Sequence, residues 1–295
     1  MKRFLAVLAM TLATAAFAET DDPFLWLEDV TGAKAMAWVN DQNAKSRPAI
    51  EKQAGFEPLL EKFTAIANSR ERIPAIAKLG AFVYNFWQDA DNPRGLWRRT
   101  TLAEYRKAAP AWEPVLDLDR LSAADNEKWA WKGATCLYPE YERCLLSLSR
   151  GGGDAVEVRE FDLARKAFVE GGFALPESKG GVAWIDANEI YVARDFGPGT
   201  MTRSGYPRQV KRLKRGQALA EAPLVFEISA EDLGAWPTVT QEKDSRVEML
   251  IRVISTRRSE SFVVREGKLV KLELPETVDA TVAAGALYVR LREDW

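Results

Sequence analysis

"RCLLSLSRGGGDAVEVREFDL", residues 143–163, sets three consecutive glycines between two runs of strand-forming residues. A glycine run like this either cradles a phosphate or turns a chain back on itself. The cradle needs the spacing G-x-x-x-x-G-K-[ST] and a helix after it. Here no such lysine follows Gly151–Gly153, and "VEVREFDL" from Val156 has the texture of a second strand. The stretch is therefore a hairpin, with "CLLSLS" and "VEVREFDL" as its strands and "RGGGDA" as the turn, glycine supplying the positive φ that tight turns require. A nucleophile elbow needs glycine two residues before its serine. Leu145 and Ser147 occupy those places before Ser147 and Ser149, so both serines are expected to be ordinary strand residues facing solvent.

Working outward, the same texture recurs. "AFVYNFW" at 81, "EIYVAR" at 189, "EMLIRVIS" at 248 and "ALYVRLR" at 286 resemble "CLLSLS" at 144. A second set ("LWRRTTL" at 96, "VEVREFDL", "RQVKRLK" at 208, "SFVVRE" at 261) and a third ("PVLDLD" at 114, "KAFVEGG" at 166, "LVFEIS" at 224, "LVKLEL" at 269) follow in the same order. Each set returns after roughly 40 to 60 residues, the spacing of propeller blades. "WAWKGA" at 129 and "GVAWID" at 181 supply inner strands. Four strands per unit repeated radially make a mainly β fold, a partial β-propeller of about four blades plus the start of a fifth. "PESKGG" is read as a turn.

Before Ile73 the pattern is helical. Thr31 is a candidate N-cap for a helix carrying "AKAMAWVNDQNAK". Pro58 suits the first turn of a second helix, in which Phe56, Leu59, Leu60, Phe63 and Ile66 fall at spacings of three and four. The extreme N-terminus, with Lys2, Arg3, an apolar run from Phe4 and Ala16-Phe17-Ala18, has the form of a secretory signal peptide cleaved after Ala18. The expected division is 1–18 signal peptide, 19–70 helical segment and 71–295 propeller. The expected location is periplasmic or secreted, with no membrane-spanning segment in the remainder.

Charge is balanced, 41 basic against 43 acidic residues, which gives no electrostatic case for nucleic acid. The densest basic run, Lys211 to Arg215, alternates with apolar residues and reads as a solvated strand and turn. The sequence contains no histidine, so a Ser-His-Asp triad has no base here. Two cysteines without histidine leave a zinc shell unfilled, and no metal or cofactor is expected. Cys136 and Cys144 flank "LYPEYER". They are either a disulfide across that short connection, which an oxidising compartment permits, or two thiols buried in a sheet.

Several stretches, in order, resemble the prolyl oligopeptidase family of serine peptidases, in particular its exported bacterial members: "DPFLWLEDV" with "WVNDQN", "VLDLDRL", the opening hairpin, "GGFALPESKGG" and "DFGPGTMTRSGYPRQVKR". The resemblance covers about residues 22 to 230, with a looser continuation. It implies a seven-bladed propeller over an α/β-hydrolase domain, a helical N-terminal segment that wraps onto the hydrolase domain, and a central channel that admits short peptides. It also implies cleavage after proline, or after basic residues in some branches. The blade count and the missing histidine lead to the expectation that this chain is the N-terminal propeller portion, without the hydrolase domain, inactive by itself and open to association with a separately encoded hydrolase partner. A self-contained propeller that binds a peptide or carbohydrate without chemistry is the alternative.

The long polar connection "DFGPGTMTRSGYPR" offers the candidate contact residues. Arg203 suits a carboxylate, Tyr206 offers a ring with a polar tip, and Asp195 completes the set. Gly197, Pro198 and Gly199 equally suit a plain turn. The ten tryptophans are expected to fill the blades and the spaces between them.

Overall fold

In the computed structural model, which describes residues 22–292 and Asp294, the chain divides into two compact units between Ala67 and Asn68. The expected signal peptide lies outside the described residues. Among those described, no helix is long and apolar enough to cross a membrane.

The first unit holds a 3-10 turn at Leu25–Glu28 and two helices, α1 (Ala33–Glu51) and α2 (Phe56–Ala67). Gly32, not Thr31, caps α1, without a side-chain bond. The chain doubles back there, with the Gly32 amide on the Asp29 carbonyl at 2.9 Å. The Asp29 carboxylate lies in the space a Cβ on residue 32 would take, so any other residue there would displace that side chain. In α2, Leu59, Leu60, Phe63 and Ile66 are each about half exposed, so the apolar stripe lies on the surface.

The second unit consists of successive antiparallel sheets. Blade 1 comprises β1 (Ala77–Leu79), β2 (Phe82–Trp87), β3 (Leu96–Thr101) and β4 (Glu113–Asp117), with a short helix α3 (Leu102–Tyr105) before β4 and α4 (Leu118–Asp125) after it. Blade 2 comprises β5 (Trp129–Cys136), β6 (Arg143–Arg150), β7 (Val156–Asp162) and β8 (Ala167–Phe168), with β9 (Ala174–Ser178) also on β7. Blade 3 is β10 (Gly181–Asp186), β11 (Glu189–Ala193), β12 (Gln209–Lys214) and β13 (Leu224–Glu227). Blade 4 is β14 (Gly234–Glu242), β15 (Ser245–Ser255), β16 (Arg258–Arg265) and β17 (Lys268–Lys271), and a hairpin of β18 (Asp279–Ala283) and β19 (Ala286–Arg290) follows.

Each recurrence in the sequence thus lies on a strand. The opening stretch is the β6–β7 hairpin, with Gly151 and Gly152 at φ +64° and +88°. Three readings change. "PVLDLD" is a strand only to Asp117, whose carboxylate accepts the Arg120 amide at 2.9 Å and starts α4. The first half of the supposed turn "PESKGG" is strand, "ALPES" forming β9, because β8 covers only two residues of β7 and leaves its remaining edge to be paired. Ser149 is fully buried rather than solvent-facing, its hydroxyl donating to the Gly153 carbonyl at 2.7 Å and closing the glycine turn.

The blades stack face to face, so their middle strands are covered on both sides. This is why "CLLSLS" is a near-continuous apolar run rather than an alternating one. Cys144, Leu146 and Phe161 pack on Tyr84 and Trp97 of blade 1, while Leu145 and Val158 pack on Ile190 and Val192 of blade 3. Tyr191, Ala193 and Val210 meet Ala235 and Leu250 of blade 4. Tryptophans do fill these spaces: Trp131 stacks on Phe86 at 5.2 Å and meets Trp97 at 5.1 Å. A fully covered leucine such as Leu146 contributes about 2–5 kcal/mol relative to alanine.

Candidate functional site: the inner wall and the blade-joining loop

The first strands of blades 2, 3 and 4 (β5, β10 and β14) lie side by side and enclose a hollow of about 310 Å³ whose lining includes Thr135, Tyr138, Tyr141, Trp184, Thr238 and Gln241. Trp184 is fixed there by its indole N–H, which donates to the Thr135 carbonyl at 2.8 Å. At the rim, β5 ends and β6 begins with Cys136 opposite Cys144; their Cα atoms are 3.9 Å apart and their sulfurs are bonded. The bond closes the connection that carries Tyr138 and Tyr141, whose rings meet edge to face at 5.7 Å. Burial raises the Tyr141 phenol above its ordinary value, with a smaller contribution from Tyr138.

The connection between β11 and β12 begins with Arg194, which sequence reading passed over. Arg194 is almost wholly buried. It donates through Nη2 to the carbonyls of Val156, at 3.3 Å, and Pro176, tying blade 3 to blade 2, while its Nε has no partner. Burial lowers its pKa to about 10. Beyond it, the three candidate residues serve separate contacts. The Asp195 carboxylate accepts the Gly197 amide at 2.8 Å and the Thr200 hydroxyl at 3.2 Å, shaping the turn itself. Arg203 pairs through Nε with Glu231 at 3.2 Å, both groups largely exposed; such a pair adds little stability. The Tyr206 ring meets Trp236 edge-on at 6.0 Å with the Lys179 ammonium 4.7 Å from its centre. The Thr202 hydroxyl donates to the Leu233 carbonyl at 3.1 Å and the Ala235 amide to the Pro207 carbonyl at 2.8 Å, so the loop pins blade 3 to blade 4.

Several charged groups elsewhere are matched. Arg150, at the base of the glycine turn, reaches Glu127 and Glu157 at 2.8 Å and Glu177 at 3.0 Å. Glu160 on β7 is fully covered and accepts from Arg215 at 2.8 and 3.1 Å and from the Phe173 amide at 2.8 Å. Arg215 ends the basic run of β12, whose Arg212 pairs with Glu189; that run is therefore an ion-paired strand. Burial, followed by the hydrogen bond it donates to Glu248 at 2.5 Å, raises the Tyr191 phenol. Among the described residues, no three acidic or cysteine side chains converge as a metal site requires. The arrangement can shape and bound a cavity and hold its walls in register. With no histidine in the sequence, it does not assemble a hydrolytic triad.

Four sheets stacked by their faces around adjacent first strands define a β-propeller wall. A family described as "Prolyl oligopeptidase, N-terminal beta-propeller domain" matches residues 11–294, and the chain belongs to that family. An uncharacterized peptidase of Sinorhizobium fredii is 40% identical over 233 residues, covering 78% of this chain and 32% of its own length. An uncharacterized peptidase of Rickettsia prowazekii is 29% identical, covering 92% of this chain and 40% of its own. Among solved structures, a post-proline cleaving enzyme from Rickettsia typhi superposes with a TM-score of 0.83 at 27% identity over 92% of this chain and 41% of that one. Oligopeptidase B from Leishmania major shares the fold, with a TM-score of 0.65 at 14% identity over 91% of this chain and 37% of that one. The chain thus spans about a third to two fifths of the length of these relatives.

Proposed function

We propose that this chain is the substrate-gating wall of an exported serine peptidase that hydrolyses short peptides, with cleavage after proline. The family match along residues 11–294 carries this reading. The absence of any histidine assigns the bond-breaking step to a hydrolase domain that this propeller accompanies. The half-exposed apolar stripe of α2 is the surface suited to that domain, since contiguous exposed apolar residues mark interaction sites. Periplasmic or secreted placement is supported by the form of residues 1–18 and by the Cys136–Cys144 bond.

The test combines the purified chain with the separately produced hydrolase portion of the Sinorhizobium fredii relative. A chromogenic Gly-Pro substrate is assayed beside a long, proline-containing unfolded protein. The proposal expects a complex whose turnover favours the short substrate more strongly than the hydrolase portion alone does. No complex, or unchanged discrimination between the two substrates, would overturn it.

A further inference from the structure

The hollow enclosed by β5, β10 and β14 has features that shaping a wall does not require. Every residue around it belongs to blades 2, 3 and 4, and blades 2 and 3 are packed on both faces, so its walls are complete within residues 135–241. Among the described residues, no aspartate, glutamate, lysine or arginine lines it. Thr135, Tyr138, Tyr141, Thr238 and Gln241 do line it, and none of their side chains hydrogen-bonds to another described residue. The Tyr138 and Tyr141 rings stand at 89° to each other and form a corner. Tyr141 is held there against its backbone preference, at φ +56°, a left-handed conformation that bulky side chains rarely adopt. Glycine would take the position without strain, and strain of this kind gathers where a side chain meets a ligand. The surroundings fix the ring. The Cys136–Cys144 bond closes the connection, the Leu137 amide donates to the Arg143 carbonyl at 2.8 Å, and the Tyr141 amide donates to the Leu137 carbonyl at 2.9 Å. Gly80, in the β1–β2 turn of blade 1, lies beside the same ring, which a Cβ there would meet at 3.6 Å.

A ligand suited to this surface brings apolar faces and hydrogen-bond acceptors and carries no charge. A polyproline II segment has this chemistry. Its prolines have no N–H, its backbone makes no internal hydrogen bonds, and its carbonyls stay open as acceptors. Aromatic-lined grooves are the general means of binding such segments, whose preformed helix loses little entropy on docking. The hydroxyls of Tyr138 and Tyr141 and the Gln241 amide are the donors on hand. A carbohydrate is matched less fully, since its many hydroxyl donors call for carboxylate acceptors and none lines the hollow. A volume of about 310 Å³ suits a short stretch of extended chain.

We propose, resting on the reading of this chain as the wall of a peptide-hydrolysing enzyme, that the hollow docks an uncharged, proline-rich segment of the substrate. The prolyl rings lie in the corner of Tyr138 and Tyr141, and the segment's carbonyls accept from those hydroxyls and from Gln241. The test uses no hydrolase: calorimetric titration of the whole chain with acetylated hexaproline amide, with a Gly-Ser hexapeptide amide, and with chitotriose. Hexaproline should bind about 10-fold or more tightly than the Gly-Ser peptide, with an affinity that does not weaken as salt is added, because no charge is involved. Tyr141→Gly removes the ring and relieves the left-handed backbone, so it should abolish the preference without lowering the melting temperature. Gln241→Met keeps the volume and should weaken hexaproline about 5-fold. Equal binding of the two peptides to the wild-type chain would overturn the proposal without recourse to a variant. So would binding of chitotriose alone, no binding of any probe at millimolar concentration, or a Tyr141→Gly chain that keeps the preference. Because this titration reads the chain alone, it can fail while the complex with a hydrolase portion forms, and the reverse, so the two readings fail separately.

Discussion

The joint between blades 2 and 3 contains a fully covered carboxylate, Glu160, and its removal makes a quantitative test of how the blades are locked. Arg215, in the turn just after blade 3's third strand, supplies two bonds to Glu160 at 2.8 and 3.1 Å and lies over the Phe173 ring at 4.6 Å. Arg143 approaches at 3.6 Å and Phe173 donates its amide. Arg215→Met leaves a buried carboxylate with one amide and one distant cation, a loss of about 3–5 kcal/mol. Glu160→Met leaves Arg215 with the Ala187 carbonyl and partial access to water, and costs about 1–3 kcal/mol, mostly the orphaned Phe173 amide. The double variant has the same orphaned amide and no unpaired buried charge, so it should also cost about 1–3 kcal/mol. The coupling is then about 3–5 kcal/mol. Urea unfolding of the four chains, followed by tryptophan fluorescence, measures it directly. At about 2–4 °C per kcal/mol, Arg215→Met should also lower the melting temperature by roughly 6–20 °C. Single costs that add to the double cost within about 0.5 kcal/mol would show that Glu160 and Arg215 do not act as a pair.

Reduction of the Cys136–Cys144 bond, whose partners are 8 residues apart in sequence, should lower stability by about 2.5 kcal/mol on the loop-entropy scale; an unchanged urea midpoint in reductant would contradict this. Two carboxyls are depressed to about 2: Asp89 by hydrogen bonds from the Trp87 indole and Asn92, and Glu113 by Arg99 and then Lys166. A carboxyl depressed in the folded state contributes stability that is present above its unfolded value and lost as pH falls. Melting temperature should therefore decline between about pH 4 and pH 2, and Asp89→Asn should flatten that decline. Tyr206→Ala should cost about 3 kcal/mol through lost packing on Trp236, whereas Arg203→Ala should change stability by less than about 0.5 kcal/mol; equal effects in thermal melts would refute the assigned roles.

Much of the fold was legible because its determinants are local. A strand buried on both faces writes itself as a run such as "CLLSLS", and a positive-φ turn writes itself as glycine. Elements set by competition between neighbours were harder to see. Asp117 can continue a strand or cap a helix, and the free edge of β7 decides for β9, not the propensity of "ALPES". The side chains with distinctive environments were less legible still. Asp195, Arg203 and Tyr206 are conspicuous in sequence but serve separate structural contacts. Arg194 looks ordinary in "YVARD", because what sets it apart is supplied from distant segments, by Val156 and Pro176.

The account rests on a division of labour in which this chain forms the wall and performs no acyl transfer. Incubation of the purified chain with a fluorophosphonate probe, read by intact mass, tests that division directly. The account predicts an unmodified mass at every serine after prolonged exposure. Stoichiometric addition of the probe to one serine would contradict it.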